Sequence, residues 1–174
     1  MRREDREYGK LVQDIKNFIT EFYESKSLGF STDIFENTSA PTTNSSGIIG
    51  MIKNIFAKKE DTFSEKLLKL IETKGDKSSE VYNRAGITRQ HFSKIKKNAD
   101  YQPTKETALA FALILHLDLD ETKDLIGRAG FTLSPSNKRD LIIEYLIQRK
   151  IFDIDIVNDV LYDFEFSPLT NKRE

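Results

Sequence analysis

One glycine, Gly86, constrains this chain more than any other residue. It stands within SEVYNRAGITRQHFSKIKKN, residues 79–98. Val81 opens an apolar pattern that closes at Arg84-Ala85-Gly86. Glycine adopts the left-handed backbone that a sharp corner between two helices demands. Ile87 follows as the apolar residue inside that corner, and Thr88 offers its hydroxyl as the cap of a second helix. In the second helix Phe92 and Ile95 share an inward face. Arg89, Gln90, Ser93, Lys94 and Lys97 are left on the outward one. The stretch therefore reads as two short helices joined by a tight turn.

The remainder reads as helices too. From Glu4 to Lys26 an amphipathic helix carries Leu11, Ile15, Phe18, Ile19 and Phe22 in one stripe, with Tyr8 and Val12 beside it. That stripe needs a cover. One reading packs it on the rest of the chain; the other docks it into a partner protein or a second copy. A stretch rich in Ser, Thr and Asn, 29–47, reads as a flexible linker. A short helix over 48–59 then leads into a helical domain spanning 48–166. Thr62 and Glu65 form a capping box ahead of an apolar helix that Gly75 ends. Ser78 or Ser79 is expected to cap the next helix. Pro103 and Thr104 open an Ala- and Leu-rich helix, and Asp118 or Asp120 starts another that closes at Gly130. Two further helices follow, the second starting at Asp153 or Asp155, and residues 167–174 read as a frayed tail. The fold class is all-α, divided as 1–28, 29–47, 48–166 and 167–174.

Two helices meeting at such a corner form a helix-turn-helix, whose second helix lies in the DNA major groove in the proteins that use it that way. The wider pattern FSEKLLKLIETKG, SSEVYNRAGITRQHFSKIKKN, PTKETALAFALILHLDLDETKDLIGRAG resembles the five-helix domain of phage repressors and of the bacterial regulators called the XRE family. The matching positions are Gly86 and Ile87 at the corner, Phe92 and Ile95 in the second helix, and the alanine-rich fourth helix. The resemblance covers about 70 of the 174 residues. It implies a repressor-like five-helix core, here with two added C-terminal helices and an N-terminal helix on a linker. One position departs. Four residues before the corner glycine that family usually has a small Ala, and this chain has Tyr82. A ring there either spreads the two helices or is housed in a rearranged pocket. A looser resemblance, over Phe63 to about Phe166, is to a helical module at the C-terminus of some larger bacterial proteins, including ones with an ADP-ribose-binding macrodomain. No macrodomain sequence is present, so that chemistry does not carry over; the likeness implies an adaptor role.

Charge bears on both readings. The net charge is -1 and the pI about 6.2, less basic than a non-specific nucleic-acid binder. Locally the balance reverses. Between Arg84 and Lys105 stand six cations (Arg84, Arg89, Lys94, Lys96, Lys97, Lys105) against Asp100, a surplus of 6 − 1 = +5. Such a patch steers a polyanion even on a near-neutral protein. The expected DNA contacts are Thr88, Arg89, Gln90, Ser93, Lys94, Lys96, Lys97 and Lys105. Arg pairs with guanine and Gln with adenine in bidentate fashion. Leu11, Ile15, Phe18, Ile19 and Phe22 are the candidate partner contacts.

Catalysis is not expected. The chain has no Cys and two unpaired His, His91 and His116, with no glycine-rich phosphate loop. Asp118, Asp120, Glu121 and Asp124 lack the turn glycine and ligand spacing of a calcium loop. They read as helix-capping acids, and Asp153, Asp155, Asp159 and Asp163 as a solvated helix face. No cofactor or metal is expected. Absence of Cys fits a reducing cytoplasm, and no apolar run approaches the roughly 20 residues of a membrane span. The opening residues lead into an amphipathic helix, so a secretory signal is not expected either. Two functions follow as expectations: a double-stranded DNA-binding regulator, homodimeric because one reading helix gives limited affinity, or a non-enzymatic adaptor in a multi-component bacterial or phage-related system.

Overall fold

The computed structural model describes residues 3–27 and 60–170. Among these residues are eight α-helices and no strand, so the chain is all-α: α1 (Arg3–Ser27), α2 (Phe63–Lys74), α3 (Ser78–Arg84), α4 (Arg89–Lys97), α5 (Lys105–Ile114), α6 (Leu119–Arg128), α7 (Lys138–Gln148) and α8 (Ile154–Asp163). The linker expected at 29–47 and the helix expected at 48–59 lie outside the described residues.

Most helix starts follow from local side-chain chemistry. At α2, Glu65 N donates to Thr62 Oγ1 (3.4 Å) and Thr62 N to Glu65 Oε2 (2.9 Å), a reciprocal capping box. Asp118 and Glu121 repeat the device at α6 (2.8 and 3.1 Å). Asp153 accepts from Asp155 N (2.9 Å) and Ile156 N (3.2 Å) at α8. Thus Asp118 and Asp153, not Asp120 or Asp155, hold the cap positions. Helix α3 departs from expectation. Neither Ser78 nor Ser79 caps it; Lys77 occupies the position with no side-chain bond, and the first turn closes on Lys77 O instead.

Helix α5 is the centre of the fold. Every residue from Thr107 to Leu115 is buried, so the helix has no solvated side and must be covered all round. Helices α3, α6 and α8 pack against it, α2 packs on α4 and α6, and α7 packs on α6 and α8. The rings of Phe92 and Phe111 meet at 6.2 Å, joining α4 to α5.

By compactness the chain divides into two units: Met1–Ile19 with Asp61–Glu174, and Thr20–Glu60. In the first unit Ile15 is fully buried, while Tyr8, Leu11, Phe18 and Ile19 pack half-buried against the same core. Phe18 lies 5.0 Å from the Tyr145 ring, and Tyr8 Oη donates to Asp163 Oδ2 at 2.8 Å. Of the two covers expected for the stripe, the chain's own core is the one these residues pack against. Leu11, Ile15, Phe18 and Ile19 are thus core contacts. In the second unit Phe22 sits edge-on to Tyr23 at 5.9 Å.

The C-terminal segment also departs from expectation. Ser167–Thr170 is anchored rather than frayed: Leu169 is buried, and its N–H donates to Asn158 Oδ1 at 2.8 Å. Residues 171–174 lie outside the described residues.

Helices α2 and α6 are tied by charge. Asp124 accepts from Arg128, one turn on (2.8 Å), and from Lys66 (2.8 Å). The Arg128 and Lys66 hydrogen bonds hold its carboxyl below the ordinary 3.8. A carboxylate depressed in the fold stabilises it above its unfolded pKa and loses that effect as pH falls through the folded value. Thermal stability should therefore decline from about pH 4.5 downward. In Asp124→Asn that acid-side decline should be shallower, checked by Tm against pH from 3 to 7 in both proteins.

Candidate nucleic-acid interface

The corner at Gly86 is built from backbone bonds. After α3 ends, Gly86 N donates to Asn83 O (3.0 Å) and Ile87 N reaches back to Tyr82 O (2.8 Å), the paired closure of a helix whose next residue is left-handed. Gly86 supplies that residue at φ +66°. The chain then extends at Thr88 (φ −69°, ψ 152°), whose Oγ1 accepts from His91 N at 3.0 Å and starts α4.

Helix α4 presents one dry and one wet face. Phe92 and Ile95 are buried. Arg89, Gln90, Lys94, Lys96 and Lys97 are exposed, and Thr88 and Ser93 are half-buried. Seven of the eight expected DNA contacts are therefore gathered on α4 and its cap.

Lys105 is the exception. Its ammonium donates to both oxygens of Asp140 (2.7 and 2.6 Å), and the Asp140 side chain is only 2% exposed. Asp140 also accepts from Ser134 N at 2.8 Å. Lys105 thus neutralises a buried carboxylate and belongs to the α5–α7 framework. Neither sequence position signalled the other, because they approach only through tertiary packing.

Tyr82 packs across the corner. Its half-buried ring lies 5.3 Å from Phe92 at a 32° tilt, adding aromatic packing across the corner. Sequence reasoning missed a second pairing: His91 Nε2 is hydrogen-bonded to Tyr101 Oη, joining α4 to the loop that follows it. Burial raises the pKa of Tyr101, so the phenol stays protonated at neutral pH.

Ion pairs engage several of the cations outside this face. Lys66, Lys69, Lys105, Lys123, Arg128 and Arg139 are each held by a carboxylate at 2.6–3.3 Å. Arg84, Arg89, Lys94, Lys96 and Lys97 have no ion pair among the described residues. Five cations with no internal partner thus stand on α4 and the end of α3.

Elsewhere the chemistry is sparse. An open cleft of about 360 Å³ is lined by His116, Lys150 and Phe152, with His116 stacked on Phe152 at 5.0 Å. Its acids, Asp118 and Glu121, are engaged in capping α6. No metal-holding group of His, Cys, Asp or Glu occurs among the described residues. Within those residues no helix is long and apolar enough to cross a membrane. Comparison with protein-family models, curated proteins and solved structures gives no match.

The reassignment of Lys105 has a measurable consequence. Lys105→Met leaves the buried Asp140 without its cation, which should cost about 3 kcal/mol. Tm should fall by roughly 6–12 °C for a chain of this size. Differential scanning calorimetry of the two proteins checks it.

Proposed function

We propose that this chain is a sequence-specific double-stranded DNA-binding regulator, with α3 and α4 as a helix-turn-helix and α4 as the reading helix. One observation carries the proposal: among the described residues Arg84, Arg89, Lys94, Lys96 and Lys97, gathered on α4 and the end of α3, have no carboxylate partner. A cation held in an internal pair has little left to offer a phosphate. Unpaired cations release condensed counterions from DNA when they replace them, and that release drives binding.

On this reading α4 enters the major groove by its N-terminal half. Arg89 donates two bonds to guanine O6 and N7, and Gln90 pairs with adenine N6 and N7. Ser93, Lys94 and Lys97 extend the readout along the helix. Thr88, Ser79, Arg84 and Lys96 contact the flanking phosphates, which fix register without reading sequence. Each bidentate base contact contributes roughly 1–3 kcal/mol of discrimination. Two half-sites bound by a homodimer would raise the affinity, with a contact surface other than the α1 stripe.

A second reading, the protein-interaction adaptor, is favoured by the net charge of -1 and by Tyr162, which stands 77% exposed on α8 beside Asp159 and Asp163. Exposed aromatics among charges are common at protein interfaces.

Fluorescence anisotropy separates the two. The protein should bind a duplex from its own upstream region more tightly than a scrambled one, and both affinities should fall as salt rises. The double variant Arg89→Ala/Lys94→Ala should lose roughly 30-fold or more on the native duplex while keeping its helical circular dichroism spectrum. Equal binding by the variant, or no binding at low salt, would overturn the proposal and favour the adaptor.

A further inference from the structure

The corner that launches α4 is not held by α3 and α4 alone. A Cβ placed on Gly86 would come within 3.1 Å of Thr170 Cβ and 3.4 Å of its methyl. Residues from the far end of the sequence therefore lie directly against the corner. Gly86 suits the corner by its left-handed backbone, and a side chain there would also press on Thr170.

What keeps Thr170 there is Asn158. This α8 side chain is only 7% exposed, and both ends of its amide serve the C-terminal segment. Its Nδ2 donates to Thr170 Oγ1 (3.1 Å) and Thr170 O (3.5 Å), and its Oδ1 accepts from Leu169 N (2.8 Å). A second hold comes from α7, where Arg139 Nη2 donates to Ser167 O at 3.3 Å. The same guanidinium pairs with Glu106 of α5 at 3.0 Å. Leu169, 6% exposed, seats the segment in the core between the two holds. A buried amide with its donor and acceptor both engaged fixes one geometry, because any other leaves it unsatisfied.

We infer that Asn158 is a positioning residue for the α4 face: it holds Leu169–Thr170 against Gly86 and thereby fixes the corner from which Thr88, Arg89 and Gln90 project. The inference deepens the DNA-binding reading and, for affinity, rests on it. The bracing itself is independent of any ligand. Pre-setting a contact helix lowers the ordering cost of binding and sharpens selection between ligands. Asn158 touches no DNA in this account; it acts through Thr170 and Gly86.

Two readouts on the full chain test it. Without DNA, amide hydrogen exchange over residues 86–91 should quicken about tenfold in Asn158→Leu, the scale of one lost hydrogen bond, with α5 and α6 unchanged. With the upstream duplex, affinity should fall several-fold while the salt dependence keeps its slope, because no phosphate-binding charge is removed. Thr170→Ser, which keeps the hydroxyl, should retain the exchange rate that Thr170→Ala loses. Faster exchange confined to residues 167–170, with 86–91 unaltered, would overturn the inference. If Asn158→Leu loosens α5 as well, Thr170→Ala decides by the same comparison. Failure of the wild-type protein to bind any duplex would refute the DNA reading, and the exchange comparison would still decide whether Asn158 braces the corner.

Discussion

Helix α5 sets the terms for everything else. From Thr107 to Leu115 it offers no solvated residue, and a helix without a wet side is stable only when neighbours cover its whole circumference. Helices α3, α6 and α8 supply that cover. The two C-terminal helices are accordingly part of the core rather than additions to it: α8 completes the wall of α5, and α7 buttresses α6 and α8. Lys105, at the start of α5, bonds Asp140 of α7 and so ties the two layers by charge. A buried carboxylate tolerates that position only while its cation remains.

The α4 face takes its shape from this arrangement. Phe92 meets Phe111 of α5, Tyr82 packs on Phe92, and the cations of α4 have no ion pair among the described residues. Several cations elsewhere are matched to carboxylates: Lys66 of α2 reaches Asp124 of α6, and Arg128 closes on the same carboxylate within α6. The molecule is close to neutral overall, and its sequence is locally basic between Arg84 and Lys105.

What could be read from the sequence was local. Gly86, Thr88, the Thr62–Glu65 box and the Phe92–Ile95 spacing each act within one turn of helix, and each sits where its chemistry requires. Pairings between distant residues were not legible. Lys105 looked like one more cation of the basic patch because Asp140 lies on another helix. The α1 stripe announced that it needed a cover, but no spacing rule says whose surface provides it; Tyr145 and Asp163 do. Polar residues near the end of the sequence suggested a frayed tail, and the buried amide of Asn158 reverses that for Leu169 and Thr170. His116, Lys150 and Glu165 adopt left-handed backbone without glycine, at φ 49°, 58° and 62°. Residue type alone gave no warning of those turns.

The most direct measurement is a two-dimensional 1H–15N spectrum of the labelled protein titrated with its upstream duplex at low salt. The account predicts the largest shifts at the amides of Gly86 to Asn98, with those of α1 and α7 nearly still. Shifts centred on α8 around Tyr162, or none at all, would contradict it.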